Sequence, residues 1–519
     1  MYNKIEVRNS CIVINDCEWD DYPKLINQFR LFERITHSYD YIGIYYDQEE
    51  RKLYLSRGVD IWYVESIVGS KAVYTKDYYK YDDIGNCKLK VGPRDDRQKQ
   101  ILRFCLGMSE YKENEYASQL SINANTGFGK TYIAIVTAAY YEMKTIIITY
   151  SVNWLNQWRE RVLQYTGISK KEILFISGSA SINKLMKMKD TSKYKIFMIT
   201  HSTINSYATD NGWKSIGELF KHLRIGIKIY DEAHLNFANM SMIDFFTNVY
   251  KTYYLTATPG RSSEEEDRIY NLYFKNIASI NLFDDEIDPH TKYICIKYNS
   301  NPTVFDIHEC KNQYGLDRNK YMNYLVNKVE YYKLLTIVMD LALKVDGKCL
   351  IYIGTNNAVT ITYNYLIHHY PELYGDIGIF TTLVSKEEKE INKNKKIILS
   401  TTKSAGASMD IDDLKMTIVI NEPFKSHITA RQTLGRTRAD NTFYIDCVDL
   451  GFKQLRRFYT YKRPIFDKYA IDCSEIFIRD PDLNYRYNSI TERRIELYHH
   501  SLVNIEPRSL VQIPLVSFE

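Results

Sequence analysis

The chain has 519 residues, is 45% hydrophobic and 14% aromatic, and carries 46 tyrosines, a globular composition too long for one core that excludes fibrous and disordered classes and implies about two to four domains. Lys and Arg (68) nearly balance Asp and Glu (64), leaving a net charge of +4, so a polyanionic partner has to be met by a local patch. Nine cysteines lack C-x-x-C or zinc spacing, the first ten residues have no apolar leader core, and no window approaches the ~20 apolar residues of a membrane span. Reduced thiols and a soluble, intracellular, cytoplasmic chain are expected.

Taken in order, residues 1–88 read as a small α+β module. Ile5 to Ile14 alternates apolar and polar residues, and Tyr22 to Ile35 has helical spacing. Tyr41–Tyr46 and Lys52–Leu55 flank a charged turn at Asp47–Arg51, a hairpin signal. A second helix is expected at Asp60–Val68, before the tyrosine-rich Tyr74–Tyr81. Arg30, Arg34, Arg51, Lys52 and Arg57 offer phosphate contacts, although a solvated charged face is the commoner meaning of such residues.

After a linker at Cys87–Pro93, the stretch RDDRQKQILRF (94–104) carries Gln98, whose amide has the donor and acceptor needed to read an adenine edge. Ser121 to Thr131, SINANTGFGKT, is an apolar strand breaking into a glycine loop. It fits G-x-x-x-x-G-K-[ST] at Gly129, Lys130 and Thr131, with Ala124 at the first glycine position. Glycines 127 and 129 let backbone N–H groups of Asn125, Thr126, Gly127, Phe128 and Gly129 converge on phosphate oxygens. Lys130 adds charge toward the outer phosphates, and the Thr131 hydroxyl suits magnesium. The following helix, Tyr132–Tyr141, aims its dipole at the same anion. A glycine turn that binds nothing is the bland alternative; the strand before and helix after favour a nucleotide site.

β-branched runs then recur at Thr145–Thr149, Ile173–Ile176, Lys195–Thr200, Gly226–Tyr230 and Thr252–Leu255 between helical stretches, the pattern of a parallel sheet covered on both faces. Asp231-Glu232-Ala233-His234 stands at the end of one such strand. There Asp231 can hold magnesium and Glu232 can polarise the water that attacks a γ-phosphate. Acids at strand ends also cap helices, but here they follow a phosphate loop.

NTGFGKT at 125–131 with DEAH at 231–234 resembles the superfamily 2 helicases and translocases, whose two RecA-like domains clamp ATP. The resemblance continues through Tyr150–Trp158 (motif Ia, with Tyr150-Ser151 replacing Pro-Thr), Thr200-His201-Ser202 (motif Ib) and Leu255-Thr256-Ala257-Thr258-Pro259 (motif III). In the second half, strand-like runs at Cys349–Ile353, Ile377–Phe380, Lys396–Ser400, Met416–Ile420 and Thr442–Ile445, with a helix at Tyr321–Leu343, predict another α/β domain without a phosphate loop. Ser400–Asp410 resembles motif V, with Ser408 where many relatives have Asp and Asp410 as its substitute. Gln432-Thr-Leu-Gly-Arg436-Thr-Arg438 resembles motif VI. Arg436 there would act as an arginine finger, with Arg438 the nearest second arginine because Ala439 occupies the usual place.

The resemblance implies coupling roles for His234, Thr256, Thr258 and Gln432, and nucleic-acid contacts near Ser151, Thr200, Thr355 and Thr401. The expected fold is α/β, two tandem RecA-like parallel-sheet domains with a small N-terminal α+β module. Its boundaries are 1–88 (accessory module), 89–290 (ATP-binding domain), 291–475 (second domain) and 476–519 (extension). Within the superfamily, the Gly406-Ala407-Ser408 of motif V, the block Thr256–Arg261 and the small N-terminal module resemble phage helicases of the UvsW type, related to RecG-like and poxviral transcript-release helicases. That implies ATP- and Mg2+-dependent translocation on DNA, with single-stranded, forked or branched DNA as partner and unwinding or branch migration of forks and recombination intermediates, in phage replication, recombination or repair. RNA helicase or transcript-release activity stays open, as does duplex translocation without strand separation. A nucleotide-gated scaffold is disfavoured by the intact Lys130, Asp231, Glu232 and Arg436.

Overall fold

A computed structural model describes residues 4–33, 38–85, 87–124, 128–257, 264–282, 291–313, 315–405, 411–420, 433–434, 442–479 and 484–489. The chain divides into two compact units, Met1–Asp284 and Asp285–Glu519.

Unit 1 begins with strands β1 (Ile5–Val7), β2 (Cys11–Ile14), β3 (Arg30–Glu33), β4 (Ser38–Tyr41), β5 (Ile44–Asp47), β6 (Lys52–Ser56) and β7 (Ala72–Tyr74). Five form a sheet in the order β5-β6-β2-β1-β7, and β3 pairs with β4 as a separate antiparallel hairpin. The helical spacing of Tyr22–Ile35 yields only one short helix, α1 (Pro23–Ile26), and a 3-10 turn at Asn27–Phe29. Beyond it Arg30–Glu33 pairs with Ser38–Tyr41, so cross-strand pairing overrides helix propensity there. Helix α2 (Ile61–Val68) is capped by the Asp60 carboxylate, which accepts from the Trp62 N–H, and it ends at left-handed Gly69.

Seven parallel strands follow: β8 (Gln119–Ala124), β9 (Thr145–Thr149), β10 (Ile173–Ile176), β11 (Ile196–Thr200), β12 (Ile227–Asp231), β13 (Lys251–Thr256) and β14 (Ala278–Leu282), in the order β10-β11-β9-β12-β13-β8-β14. The helices between them are α3 (Asp96–Leu106, before β8), α4 (Lys130–Tyr141), α5 (Val152–Tyr165), α6 (Ser179–Met186), α7 (His201–Asn211), α8 (Lys214–Leu223), α9 (Phe237–Phe246) and α10 (Glu264–Phe274). The Ile runs of β9 and β11 are buried along their whole length, as both faces of such a sheet require.

The N-terminal sheet shares a core with this domain: Ile5, Ile12 and Leu55 pack in one cluster with Tyr254, Ile269 and Tyr273. Polar contacts stitch the same face, with Ser56 Oγ donating to the Tyr273 carbonyl at 2.6 Å and Gln119 Nε2 to the Ser10 carbonyl at 2.9 Å. At Gly58 an added Cβ would lie 2.2 Å from the Tyr273 carbonyl oxygen, so only glycine lets the two backbones approach so closely.

Unit 2 holds β15 (Thr291–Tyr298), a small hairpin of β16 (Lys311–Asn312) and β17 (Gly315–Leu316), then β18 (Lys348–Ile353), β19 (Ile377–Phe380), β20 (Ile397–Ser400), β21 (Leu414–Ile420), β22 (Thr442–Asp449), β23 (Asp472–Arg479) and β24 (Asn484–Ser489). Its large sheet runs β19-β20-β18-β21-β22-β15-β23-β24, seven strands parallel and β24 antiparallel. The helix expected over Tyr321–Leu343 is two helices, Arg318–Leu325 and Val329–Lys344. Two tandem parallel-sheet domains with an N-terminal α+β module are thus the architecture.

Candidate active site

In unit 1, β12, β13 and β8 are neighbours, with Asp231 level with Leu255 and Leu255 level with Ile122. The phosphate loop, the acid pair and Thr256 therefore leave one carboxyl edge together, where ligands of such sheets bind.

Of the loop, Phe128 to Thr131 are described; Asn125, Thr126 and Gly127 lie outside the described residues. Gly129 has φ +80°, and a Cβ there would come within 2.2 Å of Gln98 Nε2. Gln98 is buried at the start of α3, and its amide joins two backbone groups. Oε1 accepts from the Arg94 N–H at 2.8 Å, and Nε2 donates to the Phe128 carbonyl at 3.3 Å. The glutamine expected beside adenine is thus also a strut under the loop. Lys130 is 9% exposed, and its Nζ donates to the Ala124 carbonyl at 2.7 Å. The ammonium spans from the first residue of α4 back to the end of β8, so its charge sits at the positive end of the helix.

Asp231 closes β12, and its Oδ2 accepts from the indole Nε1–H of Trp158 at 2.7 Å. Burial, and then the neighbouring Glu232 carboxylate, push its carboxyl up to about 6, while the Trp158 donor pulls it down. Hard oxygens on Thr131 and Asp231 are the donors magnesium takes. A carboxylate raised by burial and a like charge is short of a cation, so these residues fit that ion.

Glu232 has φ +50°, a left-handed conformation that costs about 1–3 kcal/mol and survives only where its surroundings fix it. Three contacts do so. The Ala233 N–H donates to the Leu255 carbonyl at 2.9 Å, the Ala257 N–H reaches Glu232 Oε2 at 3.4 Å, and His234 Nδ1 lies 3.3 Å from the same oxygen. His234 is buried, and its Nδ1 is also 2.8 Å from Thr256 Oγ1. His234 Nδ1 thus stands in contact with both Glu232 Oε2, just past β12, and Thr256 Oγ1 at the end of β13.

On the other half of the same edge, β9 ends at Thr149, whose hydroxyl donates to the Ser151 carbonyl at 2.9 Å. Tyr150 between them is 53% exposed, and Ser151 is the N-cap residue of α5. Thr200 caps α7, accepting from the Thr203 N–H at 3.2 Å. In unit 2, Thr355 caps the helix Asn356–His369 by accepting from the Ala358 N–H at 3.2 Å, and Thr401 accepts from the Ser404 N–H at 3.1 Å. All four follow or end parallel strands. Thr258, Gln432, Arg436 and Arg438, with Ser408 and Asp410, lie outside the described residues.

Trp158 is the site residue that sequence reasoning did not assign. Its spacing from Trp154 reads only as an apolar helix face, and nothing local tells that its N–H meets the acid at the end of β12.

Residues 90–261 match the family model described as Type III restriction enzyme, res subunit. Over 370 residues the chain is 25% identical to protein 161L of Invertebrate iridescent virus 6, which is named as a helicase, covering 67% of this chain and 76% of that one. It is 24% identical over 363 residues to Transcript termination protein A18 of Yaba-like disease virus, covering 65% of this chain and 68% of that one. The fold is similar to that of S. cerevisiae Dbp5, solved with RNA and ADP BeF3, with a TM-score of 0.50 and 13% identity over 78% of this chain and 93% of that one. The class is a nucleic-acid-dependent ATPase. Within it, the matched region and the two viral relatives support a superfamily 2 helicase. Among the described residues, no helix is long and apolar enough to cross a membrane.

Proposed function

We propose that this helicase binds single-stranded, forked or branched DNA and hydrolyses ATP to move on it and to unwind or branch-migrate the forked and branched forms, in replication, recombination or repair of a virus of phage type. The observation that carries the reading is the continuous link Glu232–His234–Thr256. It ties the group that would activate water to the strand leading into motif III, as ATP-driven movement requires. The DNA and branch-migration part rests on the UvsW-type sequence resemblance.

In this reading 1–88 is an accessory module, 89–290 binds ATP, 291–475 is the second helicase domain and 476–519 an extension. Gln98 holds the adenine side, and Asn125 to Thr131 cradle the phosphates. The Lys130 ammonium exchanges the Ala124 carbonyl for an outer phosphate oxygen, replacing a bond with one charged partner by one in which both partners are charged. Thr131 and Asp231 would hold Mg2+, which neutralises phosphate charge. Glu232, held in a fixed orientation by the Ala257 N–H and His234, takes the proton of the attacking water. Arg436, with Arg438 beside it in sequence, neutralises charge on the transferred phosphoryl group. Ser151, Thr200, Thr355 and Thr401 mark backbone-level contacts with nucleic acid, which carry no base information.

The test is ATP turnover with single-stranded, duplex and branched DNA and RNA of matched length. Lys130→Ala and Glu232→Gln are expected to abolish the stimulated rate, and unchanged turnover in either sinks the assignment. Arg436→Ala is expected to lose turnover while nucleotide binding persists. The likeness to a protein named for transcript termination supports a second reading, release of RNA from a transcription complex; selective stimulation by RNA, or by an RNA–DNA hybrid, would favour it.

A further inference from the structure

We propose that the β3–β4 hairpin of the N-terminal module is a base-stacking platform for unpaired nucleotides. The proposal rests on the helicase reading and adds a place for a freed strand.

Pairing of Phe32 with Tyr39 and of Arg30 with Tyr41 puts Arg30, Phe32, Tyr39 and Tyr41 on one face, because alternate residues of a strand share a face. Tyr39 is 49% exposed, Phe32 38% and Tyr41 37%. The Arg30 guanidinium carbon lies 3.9 Å from the centroid of the Tyr39 ring. The Phe32 and Tyr39 rings meet edge to face at 5.3 Å, and Trp19 buttresses Tyr41 at 4.9 Å. Three exposed rings and a stacked arginine on one small face are far from the scattered single apolar residues of an ordinary surface.

A two-stranded hairpin is marginal alone; this one is pinned to α10. Arg268 donates to the Gln28 carbonyl at 2.6 Å and to the Arg30 carbonyl at 3.3 Å, and the Phe32 N–H donates to Glu265 Oε2 at 3.2 Å. As the contacts step from residue 28 to residue 32, the helix is followed backward from 268 to 265. The hairpin therefore runs toward the N-terminus of α10, and α10 connects the parallel strands β13 and β14. Its N-terminus lies at the carboxyl edge that also carries Glu232 and Thr256. The aromatic face is thus carried on the helix that follows motif III.

Aromatic faces with an arginine stack bases of any sequence. Glu265, Glu266 and Asp267 stand at the start of α10, and their charge repels phosphates. A strand is then held through its bases more than its backbone, which selects unpaired nucleotides over duplex, whose bases are turned inward.

The test uses the full chain with 2-aminopurine-labelled single-stranded DNA, the same RNA, and matched duplex, together with ATP turnover and melting temperature. Losing one stacked base lowers affinity roughly 5- to 150-fold. Phe32→Ala/Tyr39→Ala is expected to weaken single-strand binding roughly tenfold or more and to remove the 2-aminopurine quench. Duplex affinity, basal ATP turnover and melting temperature should stay as in the wild type, and Phe32→Tyr/Tyr39→Phe should keep both the affinity and the quench. Equal single-strand affinity and quench in the alanine variant, or an equal loss on duplex, overturns the proposal; a difference between the DNA and RNA arms names the strand chemistry. Because binding is read without ATP, loss of the ATPase reading through Lys130→Ala leaves this result standing, and the reverse holds too.

Discussion

Replacing Trp158 by Phe keeps an aromatic ring buried in α5 and deletes the N–H that donates to Asp231 Oδ2 at 2.7 Å. A hydrogen bond to a charged group contributes about 1.5–3 kcal/mol, so turnover at limiting magnesium should fall roughly ten- to 150-fold. A second effect has a definite sign. Burial and the Glu232 carboxylate raise the Asp231 carboxyl to about 6, and the Trp158 donor opposes them. Without the donor the carboxyl rises further, and a proton competes with metal as pH falls toward neutrality. The assay is ATP hydrolysis under saturating single-stranded DNA as a function of Mg2+ at pH 6.5 and pH 8.5, with melting temperature as the folding control. The magnesium midpoint should move upward, and by more at the lower pH. A folded Trp158→Phe protein with wild-type magnesium dependence at both pH values refutes the positioning role.

Three further outcomes follow from the same unit. Asp244 is fully buried and receives Lys228 Nζ at 2.5 Å and the hydroxyls of Tyr230, Tyr254 and Tyr273 at 2.9, 2.6 and 2.6 Å. Asp244→Ala strands a buried ammonium and should cost about 3–5 kcal/mol in urea unfolding; a loss below 1 kcal/mol would contradict the network. Burial and the Asp244 charge hold these three tyrosines well above the ordinary value of 10.0. A folded value above the unfolded one gives stability that is complete below pH 10 and lost as pH rises beyond it, about 1.4 kcal/mol per pH unit for each group. Tyr254→Phe should make that alkaline loss shallower, and an unchanged slope between pH 10 and 11 in urea melts would count against it. His234→Ala should leave basal ATP turnover within a few-fold while removing most of its stimulation by nucleic acid; equal loss of both rates would make His234 a residue of the hydrolytic step alone.

What could be read from the sequence was what local pattern encodes. The Ile-rich runs at Thr145–Thr149 and Ile173–Ile176 are strands with the expected bounds; in the first, full burial on two faces leaves an unbroken apolar signature. β14 was not legible: Ala278–Leu282 lies at the sheet edge with a half-exposed pattern. The hairpin at Arg30–Tyr41 was hidden because Leu25, Phe29 and Phe32 also fit a helix, and its pinning comes from Arg268 and Glu265, more than two hundred positions on. In the site, Lys130, Asp231 and Glu232 were visible because phosphate and metal chemistry fix residue type and order. Trp158, and the double duty of Gln98 under the loop, depend on tertiary placement and leave no local trace.

β12 explains why the acids stand where they do. Along Ile227–Asp231 alternate side chains take opposite faces. Lys228 and Tyr230 turn to the side shared with the N-terminal module, where Asp244 binds both. Ile227 and Ile229 turn to the other side, into the cluster that contains Trp158, and Asp231 follows them to meet the indole. The strand is thus gripped by polar contacts on both faces one residue before Glu232 departs into a left-handed turn. Strain of that kind persists only where the neighbouring structure over-determines the backbone. The module, by completing the core around Tyr230 and Tyr254, contributes to holding the Asp231–Glu232 pair at a distance it never touches. A substitution in its packed face, such as Leu55→Ala, should therefore lower ATP turnover in step with stability, because the strained turn relaxes as the core that fixes it loosens.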